Sequence, residues 1–374
     1  MLAVLLRKIF CLAALILAGA LCAFPATEKK SSAKIALATA ADDDTENELP
    51  DGPEDLPGEN FSAKWPTVTR LADTLPARTV QAGPDAWIYE TRHFRFIADA
   101  PIALGSVKEI ARIFEGTYTA NLALPLNSPC TRYQVCDKGK FRAFLFEKYE
   151  KYLAAGGMKG STGVFIGRGS GMENGAILVP FDSLGLEKRG NRYFKSGRRI
   201  DAKTLSHEIT HHMTVPGSNF PTWFAEGLAE YVGLSYDGNG QVRFSGNKTV
   251  IAKFVGAYGE KGTGGRGIGK NPKVGTSLRS FLSAKKSFLG DDNKNTQIGY
   301  GVSALLVYYF FHLDGKRDAA RAKRYIAALQ KGAAPAAAAE ELLGGRTWSQ
   351  LEKDICRRLK SALKIEPEFA PAAD

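Results

Sequence analysis

Apolar and polar side chains alternate along 87–99, WIYETRHFRFIAD, and many of them are aromatic, which predicts a β-strand. Val107, Ile110 and Phe114 then fall at helical spacing and predict a helix over 103–120. FRAFLFE (141–147) predicts a second strand, with a short helix in YEKYLAAGG after it. GSTGVFIG (160–167) and GAILVPFD (175–182) predict two more strands joined by the Gly-rich turn RGSGMEN. The basic, Gly-containing stretch 185–200 predicts a loop. Leu205, Ile209 and Met213 trace an apolar helical stripe, and Asp201 is placed to cap its start. Pro216-Gly217 ends that helix; Ser218 or Asn219 is placed to cap the next one, with Pro221 in its first turn. SYDGNGQVRFSG predicts a hairpin. QIGYGVSALLVYYFFHL (297–313) predicts a buried helix, being short and polar-flanked for a membrane span. Amphipathic helices follow at 316–332 and 347–363, joined by an Ala-rich stretch with Pro335 and Gly344-Gly345. The expected fold class is therefore α+β. An N-terminal mixed sheet with helices (61–200) precedes a mainly helical part (201–374).

The first 60 residues read differently. Arg7 and Lys8 precede an apolar run from Ile9 to Phe24, and Ala18-Gly19-Ala20 offers a small-residue cleavage site, so 1–26 reads as a signal peptide. A retained anchor is the alternative, and either implies export to the periplasm, the cell envelope or the outside. Residues 27–60 have few large apolar groups and read as a disordered acidic tether, with nine acids and no base in 42–59. The net charge is +11, and with the local charges set aside 60–374 carries +16. A basic body favours anionic surroundings such as an envelope surface. No nucleic-acid motif accompanies the charge, so no nucleic-acid partner is expected, and no integral membrane domain beyond the N-terminal segment. Cys130 and Cys136 flank a short polar loop and fit a disulfide in an oxidising compartment, with two buried thiols as the alternative. Cys356 reads as a single thiol on an amphipathic helix.

The candidate chemistry lies in 201–233. His207, Glu208 and His211 form HExxH, and on a helix positions i and i+4 share a face, so both imidazoles can hold one metal ion. Glu208 beside them is placed to take a proton from a water on that ion. Glu226 follows His211 by fifteen residues, across a turn that lets the second helix pack back on the first. It would complete three protein ligands and leave a fourth zinc position open. Glu230 lies one turn further on the same face, suited to hydrogen-bonding a ligand histidine from behind, or to replacing Glu226. His212 is turned about 100° from His211 and points away from such an ion. His93 and His312 read as structural.

HEITHHM followed by PTWFAEGLAEYV resembles the gluzincin metallopeptidases, and within them the peptidase-MA-like bacterial domains with W-x-x-E-G-x-A-E-Y shortly after the motif. The resemblance implies a zincin-like fold and zinc as the cofactor. It implies Glu226 as third ligand, Glu208 as general base, and a peptide or protein substrate. Its order of elements is similar to the zincin upper subdomain, where an edge strand pairs with an extended peptide; GVFIG or AILVP is the candidate edge. It also implies a Tyr or His donor to the oxyanion beyond the third ligand, which points to Tyr300, with Tyr231 as the alternative. The metzincin pattern HExxHxxGxxH does not fit, since position 214 is Thr and 217 is Gly. An exported zinc metallopeptidase is the expectation. A non-catalytic zincin-fold envelope protein, kept for binding or assembly, is the rival.

Overall fold

The computed structural model describes residues 65–72, 75–83, 86–124, 126, 140–167, 175–197, 200–214, 219–256, 266–286, 288 and 293–372. The expected signal peptide and tether, and Cys130 and Cys136 with their disulfide, lie outside these.

The N-terminal part gives β1 (Val68–Thr69), β2 (Arg78–Ala82), β3 (Trp87–Glu90), β4 (Phe94–Ala98), α1 (Leu104–Ala123), β5 (Phe141–Phe146), α2 (Tyr149–Ala154), β6 (Val164–Ile166), β7 (Ala176–Pro180), β8 (Leu186–Arg189) and β9 (Arg192–Lys195). After it come α3 (Ala202–Thr214), α4 (Thr222–Ser235), β10 (Tyr236–Gly238), β11 (Gln241–Arg243), α5 (Lys248–Gly256), β12 (Lys273–Val274), α6 (Leu278–Ser283), α7 (Asn293–His312), α8 (Ala320–Gln330), α9 (Pro335–Leu343), α10 (Trp348–Leu363) and β13 (Glu368–Phe369). The fold is α+β, with a mixed sheet first and helices dominating after residue 201. No helix among the described residues is long and apolar enough to cross a membrane.

The main sheet has six strands in the order β2-β3-β4-β5-β7-β6. β4, β5 and β7 run parallel, as helical crossovers require, and the two ends are antiparallel. Both faces of β7 are covered, so every residue of AILVP is buried. VFI, at β6, ends the sheet, which decides between the two candidate edge strands.

Four local readings need correction. WIYETRHFRFIAD is two strands rather than one, because Thr91 N–H bonds to the Phe94 carbonyl and folds the chain back. The expected loop at 185–200 holds the hairpin β8–β9, turned at Gly190 with φ +61°. The Ala-rich joint is itself the helix α9, since Pro335 suits a first helical turn and Gly344 closes it in the left-handed region. Asn219 does not cap α4; its amide donates to the Ala333 carbonyl and its oxygen accepts from Lys285.

α4 is the central helix. All residues from Trp223 to Ser235 are buried, with α3 packed on one side and α7 on another. Its glycines set both spacings. A Cβ on Gly227 would lie 2.5 Å from the Ser303 carbonyl oxygen of α7, and one on Gly233 would lie 2.7 Å from the Lys203 carbonyl oxygen of α3. A helix buried all round has no solvent face for carboxylates, so Glu226 and Glu230 need partners inside.

Candidate metal centre

α3 starts where Asp201 accepts hydrogen bonds from the Thr204 N–H (3.2 Å) and hydroxyl (2.6 Å), the expected cap. Its apolar stripe is buried, while His207 and Glu208 sit on the half-buried face. Behind that face α3 is fixed to α1 by a polar ladder. Thr117 and Ser206 hydroxyls meet at 2.8 Å, and the Asn121 amide donates to Thr210 at 3.2 Å.

Packing α4 against α3 brings three ligand atoms together. His207 Nε2 and His211 Nε2 are 2.9 Å apart, His211 Nε2 and Glu226 Oε2 3.1 Å, and His207 Nε2 and Glu226 Oε2 3.4 Å. Zinc bonds of about 2.0–2.1 Å in a tetrahedron put neighbouring ligands about 3.3 Å apart. The observed triangle is close to that edge length, so the donor set fits a zinc-sized ion. His211 and Glu226 are buried, whereas the His207 side chain keeps 12% exposure, leaving an approach from outside.

The charges agree with the geometry. Burial pulls the His207 imidazole down, but the bond to Glu226 and the charges of Glu230, Glu208 and Glu226 outweigh it and push it up to about 9. Burial alone would raise the Glu226 carboxyl; His211 and His207 hold it well below the usual carboxylate range instead. At neutral pH His207 thus keeps a proton beside the ionised Glu226 carboxylate, and a divalent cation can take that proton's place.

Glu208 is not part of the triangle. Its Oε2 accepts the backbone N–H of Phe165 on the edge strand β6 at 2.8 Å. One bond therefore ties the candidate base to the strand expected to receive a peptide. Phe165 pairs with Ile177 of β7, while its N–H turns outward to Glu208.

Tyr300, in α7, lies within electrostatic reach of Glu226, Glu208 and Glu230. Burial first, then the negative charge of Glu226, pushes its phenol well above the ordinary value, so it stays a hydrogen-bond donor throughout the neutral range. Tyr231, the alternative donor, is committed elsewhere: its hydroxyl lies 2.7 Å from His312 Nε2 and accepts from Trp65 Nε1 at 3.1 Å. Five residues beyond Glu226, it leaves α4 on another face. His312 is held by the same contact, and burial pushes its imidazole down to about 4.

The remaining candidates also find places. Glu230 Oε1 lies 3.9 Å from His207 Nδ1, behind the ligand but beyond hydrogen-bond reach, and bonds Arg266 instead. His212 turns away and packs between Phe141 and Phe165, ring centres 5.0 Å from each. His93 stacks on Tyr118 at 3.9 Å and bonds Glu115 through Nδ1 at 2.6 Å. Cys356, on α10, is half-buried and donates to the Pro367 carbonyl at 3.1 Å. Sequence reasoning missed Arg266, whose guanidinium contacts Glu230 and stacks 4.2 Å from the centre of the Tyr300 ring. It also missed Gly227 and Gly233; the spacing Glu226-Gly227 inside an apolar helix was the available signal.

Comparison with protein-family models gives no match, and comparison with curated proteins gives none either.

Proposed function

We propose that the chain is an exported zinc-dependent metallopeptidase of gluzincin type, with a zincin-like fold. The observation that carries this is the triangle of His207, His211 and Glu226 ligand atoms beside Glu208, itself bonded to an edge strand. His207 and His211 would hold the zinc through Nε2 and Glu226 through Oε2. Zinc bound there would polarise the attacked carbonyl and make a water acidic enough to lose a proton near neutral pH.

This chain's residues do the rest. Phe165 N–H holds one oxygen of Glu208, and the carboxylate takes the proton from the attacking water. Glu208 then passes that proton to the leaving amine. Tyr300 donates its phenol hydrogen to the oxygen on which negative charge develops. β6 is the end strand beside Glu208, placed to pair with an extended substrate once the Phe165 N–H is set against Glu208. Export is supported by the N-terminal sequence, and the basic body suits an anionic envelope surface.

Zinc titration of the purified protein tests the ligand set. About one zinc per chain is expected, with affinity rising about tenfold per pH unit between pH 6 and 8. The sign follows from His207, which is protonated below about 9 and must lose that proton to bind. Stoichiometric binding with no pH dependence would contradict a site built on His207.

A further inference from the structure

The segment after α5 contributes a side chain that the metal-binding motif does not contain. Its backbone is anchored, with Arg266 N–H bonded to the Phe254 carbonyl at 2.8 Å and Ile268 N–H to that of Val255 at 3.1 Å. Ile268 lies beneath α7 where Gly301 leaves room; a Cβ there would come 2.6 Å from its Cδ1. From this anchor Arg266 Nε donates to Glu230 Oε1 at 2.9 Å, Nη2 reaches the same oxygen, and Nη1 donates to Gln297 Oε1 at 3.3 Å. The guanidinium lies over the Tyr300 ring at 4.2 Å and also faces Phe254 at 5.7 Å. Phe288 meets the same Tyr300 ring edge-on at 5.4 Å. Glu230 Oε1 thus takes its hydrogen bonds from Arg266 and stands 3.9 Å from the rear nitrogen of His207, an electrostatic contact rather than a hydrogen bond.

We propose that Arg266 is a positioning residue serving both halves of the site: it fixes Glu230 behind His207 and sets the plane of the Tyr300 ring. The inference rests on the zinc-peptidase reading and deepens it. Two physical demands meet in this one side chain. With a divalent ion bound, Glu208, Glu226 and Glu230 leave one surplus negative charge in a mostly buried site, and Arg266 balances it. Without that cation Glu230 would face Glu226 across one helical turn, a buried carboxylate with no full counter-charge. The second demand is planar. A guanidinium stacked on a phenol ring constrains its tilt, and hence the direction of the hydroxyl, in a way an ammonium cannot.

These two roles come apart experimentally. Arg266→Met removes both, and the zinc dissociation constant, measured by chelator competition, should rise about 10–100-fold. Glu230→Gln should weaken zinc to a similar degree. The double variant should be no worse than the weaker single within about twofold, because both act through one contact to His207. Arg266→Lys keeps a charge near Glu230 but not the flat face. Its zinc affinity should stay within about twofold of the parent. Its kcat on an unfolded-protein substrate should fall about ten- to a hundredfold, with KM unchanged. Adding Tyr300→Phe to Arg266→Lys should then lower kcat by less than it lowers the parent's. If Arg266→Met fails to fold, Arg266→Lys and Glu230→Gln carry the comparison.

Parent-like zinc affinity in Arg266→Met, or multiplying effects in the double variant, would overturn the proposal while leaving the zinc reading intact. A parent chain that binds no zinc would overturn both.

Discussion

Replacing Glu208 by Gln should leave zinc in place and lower peptide hydrolysis by about 10²–10⁴-fold, the usual worth of general-base catalysis. Glu208 stands outside the ligand triangle, and its recorded bond is to the Phe165 N–H rather than to either histidine. Gln keeps the size and an oxygen to accept that N–H, so α3 and β6 stay joined. What it lacks is a lone pair basic enough to take a proton from water. Thermal unfolding should therefore match the parent, with and without zinc. Zinc content, unfolding and hydrolysis are measured on the same preparation. Loss of zinc together with activity would place Glu208 among the ligands instead, and undiminished hydrolysis would move the chemistry away from this site.

Glu226→Gln and His211→Ala are expected to lose the metal itself. Structural zinc sites are worth about 10–16 kcal/mol in total, so one ligand's share corresponds to a weakening on the order of 10²–10³-fold. Glu226→Gln leaves a neutral amide, a poor zinc ligand, but keeps its side chain's shape between the two imidazoles. Chelator competition read beside Glu208→Gln separates ligand from base. Equal zinc loss in Glu208→Gln and Glu226→Gln would remove the division of roles.

The sequence carried the local part of this site and little of the long-range part. The helices bearing His207, His211 and Glu226 were legible because a short motif and a 3.6-residue stripe coincide there. Glu226 was legible from its spacing after His211 and from the resemblance, and Glu230 from lying one turn beyond it. The edge strand was legible only as one of two candidates. Which short apolar run ends a sheet is decided by pairing partners, and β7 found one on each side. Arg266 was not legible. It stands in a stretch without periodicity, and its role depends on Glu230, 36 residues earlier in the chain, and on Tyr300. The helix α9 was hidden for the opposite reason, since Pro335 and Gly344-Gly345 read as breaks although they mark its two ends. Tyr300 stands ahead of Tyr231 on the resemblance alone; that Trp65 and His312 hold Tyr231 could be seen only in the fold.

Hydrolysis of an unfolded, alkylated protein by the full chain, before and after chelation and again after zinc is restored, tests the central claim most directly. The account predicts cleavage that chelator abolishes, that one equivalent of zinc restores, and that Glu208→Gln lacks throughout. A chain that binds zinc through His207, His211 and Glu226 yet cleaves nothing under any of these conditions would contradict it, and would favour a zinc-holding protein kept for binding.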